Sequence, residues 1–119
     1  MRKISLIILF SLFFLNGFSQ NWQTNFEQVK VQAQTSNKNI VLVFSGSDWC
    51  APCIKLDKDV FKSDYFQTYS KDHFILLKAD FPRKKKNALP EDLKEQNRAL
   101  AETYNKNGYF PLVLVLTPE

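Results

Sequence analysis

Three short apolar runs, Ile40 to Phe44, Phe74 to Ala79 and Leu112 to Leu116, stand out from a chain that otherwise mixes polar and apolar positions. The first is unbroken and rich in branched side chains, the pattern of a strand buried on both faces, and the other two read as strands on the same grounds. The segments between them carry helical spacing. Trp22, Phe26, Val29 and Ala33 recur near the helical period, Thr24 and Glu27 fit a capping box ahead of them, and the polar stretch Thr35 to Asn39 ends the helix. After Ser45-Gly46-Ser47-Asp48, a second helix places Cys53, Leu56 and Val60 on one stripe, with Ile54 and Phe61 beside it. Ser63 can cap a short helix carrying Tyr65, Phe66 and Tyr69. The best-marked helix has Pro90 in its first turn, Glu91 and Asp92 at its positive end, Lys106 near its negative end and Gly108 after it, with Leu93, Leu100 and Tyr104 predicted to face the core. Helices alternating with buried strands predict an α/β fold, with helices packed on a central sheet.

A length of 119 residues allows one domain, and eleven Phe within a 45% hydrophobic composition supply a core large enough to fold. Residues 1–19 read as a signal peptide. Arg2 and Lys3 precede an apolar run from Ile4 to Leu15, broken only by Ser5 and Ser11, and Gly17 and Ser19 offer small residues for cleavage. The run is shorter than the ~20 residues of a membrane span, so the expectation is an exported domain over residues 20–119, periplasmic or secreted, with no membrane association after cleavage. An anchor kept uncleaved is the alternative. Without Arg2 and Lys3, 14 basic residues face 12 acidic ones and the net charge falls from +4 to +2. Nucleic acid is therefore not an expected partner. The one basic cluster, Arg83-Lys84-Lys85-Lys86, reads first as a solvated loop and second as a docking point for an acidic partner or membrane surface.

The chemistry is concentrated in Trp49-Cys50-Ala51-Pro52-Cys53. Two cysteines in an exported chain ordinarily suggest a staple, but closing a four-residue loop stabilises by only about 2 kcal/mol, which strain readily removes. Placed between a buried strand and a helix, the pair suits redox chemistry better. A helix N-terminus presents unpaired N–H groups and partial positive charge, which should bring a thiol from its free value of ~8.5 to about 7 or lower. Pro52 fits the first turn, where its missing N–H has no partner, and Trp49 can roof the site. Cys50, nearer the helix end and expected to be the more exposed, would attack a substrate disulfide, and Cys53 would resolve the mixed disulfide. His73, the only histidine, reads as a surface residue, and Asp48 as a loop cap rather than a catalytic group. No cofactor and no metal are expected. Two rival readings are a soft-metal (copper) carrier using the same sulfurs, and a redox-inert binding module.

The segment Trp49-Cys50-Ala51-Pro52-Cys53 resembles the Trp-Cys-x-Pro-Cys centre of the thioredoxin superfamily, and Phe110-Pro111 ahead of a strand resembles that family's cis-proline. The stretch from Ser45 to Phe61 is most similar to exported thioredoxin-like proteins and to the C-terminal domain of thiol:disulfide interchange proteins. The resemblance implies a thioredoxin-like fold with a mixed sheet and a protein-disulfide oxidoreductase acting on protein disulfides or dithiols, coupled to an electron donor or acceptor that the sequence does not identify. It implies catalytic Cys50 and Cys53, supported by Trp49, Pro52, Phe110, Pro111 and a strand lysine, Lys78. It also implies that a hairpin strand and a C-terminal helix should follow Leu116. Here only Thr117-Pro118-Glu119 follow, so the domain reads as C-terminally incomplete, with Leu112 to Leu116 left as an apolar edge expected to self-associate or to bind a partner strand. The family's buried carboxylate, six residues before the first Cys, is replaced by Phe44, which argues against a carboxylate relay and for easier ionisation of both thiols.

Overall fold

The strand Asn39–Ser45 (β2) organises the domain described by the computed structural model, which covers residues 21–119. The signal-peptide expectation for residues 1–19 lies outside that range. β2 pairs in parallel with Phe74–Asp80 (β3), from Asn39 opposite Phe74 to Ser45 opposite Asp80. On its other side it pairs antiparallel with Leu112–Leu116 (β4), with Phe44 opposite Leu112. A two-residue strand, Trp22–Gln23 (β1), adds in parallel to β3, giving the mixed order β1-β3-β2-β4. The helices are Phe26–Ser36 (α1), Ala51–Leu56 (α2), Asp64–His73 (α3) and Glu91–Tyr104 (α4).

The apolar run of β2 is explained by coverage on both faces. Ile40, Leu42 and Phe44 point into a cluster with Val29 and Ala33 of α1, Leu77 and Ala79 of β3 and Leu100 of α4. Val41 and Val43 point the other way, against Leu76 and Phe61, with Leu56 and Phe66 packed around them. Removing a side chain such as Leu42 or Phe44 from water contributes about 1.5–3 kcal/mol each, so the two clusters together hold the sheet between its helices. β4 is covered on one face only. Leu112, Leu114 and Leu116 pack on the first cluster, whereas Val113 and Val115 are 43% and 58% exposed, and β4 is the last element among the described residues.

Four local expectations are corrected. α1 is capped by Asn25, whose side chain accepts the Gln28 N–H, and not by a Thr24–Glu27 box; Trp22 belongs to β1, whose parallel pairing with β3 takes it out of the helix. Pro90 is the residue before α4 and not within its first turn. Tyr104, the last residue of α4, is exposed, while Asn97, two turns earlier on the same stripe, is buried and donates to the Asp80 carbonyl. The fourth correction concerns the stripe after Cys53. α2 runs on into a π-turn, Asp57–Phe61, closed by the Lys62 N–H on the Asp57 carbonyl at 2.9 Å. The extra residue rotates the downstream side chains by about 100°. Phe61 therefore enters the core at 5% exposure, and Val60, expected there, is turned out at 43%.

Candidate active site

β2 ends at Ser45, and the chain then makes a tight turn in which the N–H groups of Trp49 and Cys50 both donate to the Gly46 carbonyl, at 3.3 and 2.9 Å. This turn delivers Cys50 to the head of α2 as its cap residue, in extended conformation, with its carbonyl accepting the Ile54 N–H at 3.1 Å. Cys50 and Cys53 are joined in a disulfide, and the Cys50 sulfur accepts the Cys53 N–H at 3.3 Å. The spacing explains the closure: cap and third helical residue are the two positions a single turn brings face to face. Pro52 lies in that turn, where no backbone donor is lost.

The expectation that Cys50 is the more exposed sulfur is corrected. Both cysteines are 4% exposed, because in the disulfide the Cys50 sulfur folds back over the first turn of α2 and does not stand off it. Position distinguishes the two. Cys50 lies outside the helix at its positive end, and Cys53 lies within it.

Trp49 is held on several sides. Its indole N–H donates to the Phe81 carbonyl at 2.7 Å, its ring meets Phe110 edge-on at 5.4 Å, and the Arg83 guanidinium lies 3.7 Å from the ring centroid. Phe81 in turn meets Phe110 at 5.3 Å and stacks on Phe44 at 6.3 Å. The Phe110–Pro111 peptide bond is cis, and it leads directly into Leu112 opposite Phe44, so it reaches the end of the sheet from which Cys50 departs. The residues singled out in the sequence are thus gathered at one end of β2, with one exception. Lys78 lies on β3, on the α2 side of the sheet, 3.8 Å from the Asp57 carboxylate and over the Trp22 ring at 5.0 Å. It is an ion-paired, half-buried residue. His73 is a surface residue, stacked on Tyr69 at 3.9 Å with Nδ1 2.7 Å from the Tyr69 carbonyl. Phe44 is fully buried among apolar neighbours, so the position of the family's carboxylate is filled by hydrocarbon.

Three further residues shape the site. Gly46 leaves no room for a side chain: a Cβ there would meet Trp49 Nε1 at 2.6 Å. Asp80, at the end of β3, accepts both the Ser47 N–H at 2.9 Å and the Ser47 hydroxyl at 2.5 Å, which ties the turn to the neighbouring strand. Asp48 caps the loop after β3, accepting the N–H groups of Arg83 and Lys84 and the Asn87 amide, at 2.9 to 3.0 Å. These bonds, led by the Arg83 N–H, bring its carboxyl down to about 2. The Gly46 requirement had no signal beyond its place before the motif, and the Asp80 tie depends on strand register, which only the folded sheet reveals. Among the described residues no group of three or more His, Cys, Asp and Glu side chains is placed to hold a metal ion, and no helix is long and apolar enough to cross a membrane.

A thioredoxin-like family model matches residues 21–118. The chain is 33% identical over 94 residues to the disulfide bond reductase DsbH of Chlamydia pneumoniae, covering 79% of this chain and 55% of that protein. It is 24% identical over 98 residues to the thioredoxin-related protein DsbJ of the same organism, covering 82% of this chain and 27% of that protein. The chain thus spans about half the length of the first relative and about a quarter of the second. Among solved structures, a DsbH oxidoreductase superposes with a TM-score of 0.74 at 30% identity, covering 84% of this chain and 68% of the other. A disulphide isomerase from Xylella fastidiosa Temecula1 superposes with a TM-score of 0.58 at 19% identity, covering 84% and 75%, a likeness of fold alone.

Proposed function

The chain belongs to the thioredoxin-like family, and from that premise we propose that it is an exported thiol:disulfide oxidoreductase that reduces protein disulfides through Cys50 and Cys53. One observation carries the reading: Cys50 occupies the cap of α2, where a sulfur anion faces the unpaired N–H groups and positive end of the helix, with Cys53 one turn behind it and already bonded to it. The relative named as a disulfide bond reductase supports reduction as the direction, and the pattern of residues 1–19 supports export to the periplasm or beyond.

In the reduced protein the Cys50 thiolate attacks one sulfur of a substrate disulfide, forming a mixed disulfide and releasing the other substrate sulfur as thiolate. Cys53, as thiolate, then attacks the Cys50 sulfur, expelling the second substrate sulfur and leaving the Cys50–Cys53 disulfide that the structure contains. Two electrons pass to the substrate, and a dithiol donor must return them. Trp49 and Phe110 form an aromatic wall at the site, and the strand end beside the cis Phe110–Pro111 bond suits an extended substrate segment. With Phe44 at the carboxylate position, proton transfer to and from Cys53 passes through solvent or substrate and not through a buried acid. Titration of Cys50 in reduced protein, followed by alkylation rate against pH, should give a pKa below about 8.5. In an envelope extract Cys53→Ser should accumulate mixed disulfides that vanish when Cys50→Ser is added. A Cys50 that ionises like free cysteine, or adducts that persist without it, would end the proposal.

A further inference from the structure

Asp48 and Trp49, the two residues before Cys50, hold a loop that carries four consecutive cations. We propose that Arg83, Lys84, Lys85 and Lys86 form a recognition surface for acidic polypeptide segments flanking the disulfide of a substrate protein. The inference rests on the oxidoreductase function proposed for Cys50 and Cys53 and supplies its substrate class.

The loop is fixed to the site at three kinds of contact. Asp48 accepts the Arg83 and Lys84 N–H groups and the Asn87 amide, the Trp49 indole N–H bonds the Phe81 carbonyl just upstream, and the Arg83 guanidinium lies over Trp49, 3.7 Å from its centroid. The loop backbone and the Arg83 head group therefore keep a set position relative to Trp49 and Cys50, and little backbone ordering is left to be lost on binding. Among the described residues, none of the cations is neutralised by a close carboxylate, although the Arg83 guanidinium rests on the Trp49 ring. Lys30, Lys62, Lys78, Lys94 and Arg98 each have a carboxylate partner, whereas among the described residues none of the four loop cations makes an ion pair. Asp48 is the carboxylate that touches the loop, and its oxygens are occupied by the loop's own N–H groups and Asn87.

Four cations of one sign beside a sulfur pair steer and hold an acidic segment. A lipid surface is the other anionic possibility for such a loop. The loop is anchored on Trp49, the residue before Cys50, where a protein disulfide would have to dock, so the favoured occupant is the polypeptide that carries that disulfide.

The test uses the oxidised protein, in which no exchange can begin, and two labelled peptides of equal length, each with one internal disulfide flanked by four Glu or by four Gln. Binding is followed by anisotropy. The Glu peptide should bind about 10-fold more tightly at about 20 mM salt, and the difference should fall below about twofold at about 500 mM, where exposed charges are screened. The variant Lys84→Gln/Lys85→Gln/Lys86→Gln should lose the preference while reducing the Gln peptide at the wild-type rate once it is itself reduced. Equal affinities, a preference insensitive to salt, a preference that survives in the triple variant, or tighter binding to vesicles containing phosphatidylglycerol than to the Glu peptide would each overturn the proposal. Because binding is read without turnover, a chain that prefers the Glu peptide yet reduces neither would refute the oxidoreductase reading and leave the acidic recognition standing.

Discussion

Replacing Gly46 with alanine adds one methyl group at the closest approach in the site. That methyl would stand 2.6 Å from Trp49 Nε1 and closer still to the adjoining ring carbons, well inside contact distance, so the indole must move. The glycine's backbone angle is unremarkable, and the effect is therefore one of packing alone. Inserting a methyl into a filled site costs about 1–3 kcal/mol. For a domain of about 100 residues each kcal/mol shifts Tm by about 4–8 °C, so a fall of between about 4 and 24 °C is expected. The displaced ring gives up its bond to the Phe81 carbonyl, its edge contact with Phe110 and the Arg83 cation above it. Since Trp49 directly precedes Cys50, the rate of disulfide reduction should also drop by about tenfold or more through misplacement of the sulfur. In a Trp22→Phe background Trp49 is the sole indole, and its emission should shift to the red in Gly46→Ala. An alanine variant with unchanged Tm, emission and rate would refute the packing argument.

Phe44→Asp restores a carboxylate at the position where the family carries one, but here it would lie in a fully buried apolar pocket beside Phe81, so the loss should reach at least the roughly 3–5 kcal/mol of an aromatic truncation. Its folded pKa would be raised above the unfolded ~3.9, so stability should fall as pH rises from about 4, the reverse of the usual carboxylate dependence; denaturant midpoints from about pH 3 to 7 give the sign. Asp48 behaves in the opposite sense. Its pKa is lowered from 3.8 to about 2, so its contribution is complete above about pH 4 and is lost as pH falls towards 2; Asp48→Ala should flatten that acid limb and speed amide exchange at Arg83 and Lys84. Reducing Cys50–Cys53 opens a loop worth about 2 kcal/mol at most, so the reduced domain should keep its circular dichroism and melt cooperatively, and unfolding on reduction would show that the pair is a staple after all.

Two of the corrected helical expectations share a cause. Asn25 and not Thr24 caps α1 because Gln96 accepts the Phe26 N–H and donates to the Thr24 carbonyl, which pins the entry of the helix from α4, 72 residues away in sequence. Phe61 replaces Val60 in the core because the π-turn inserts a residue into the stripe, and the larger ring then packs against Trp22 and Phe66 at 5.1 Å from each. In both places a regular helical period is a sound local prior that a distant packing partner overrides.

What the chain determined unaided is whatever depends on neighbours in sequence. Continuous apolar character marked β2 as a strand covered on both sides, and the two-residue gap between Cys50 and Cys53 placed both sulfurs in one turn, because that distance is set by the backbone alone. Folding decided the rest. Asp48 clamping Arg83 and Lys84, Asp80 holding Ser47, Lys78 meeting Asp57 and Arg83 lying on Trp49 join positions 21 to 36 residues apart. Such contacts are created by strand register and loop closure, which no local pattern encodes, so the pairing of the two sulfurs was written in the motif while their surroundings were assembled by the sheet.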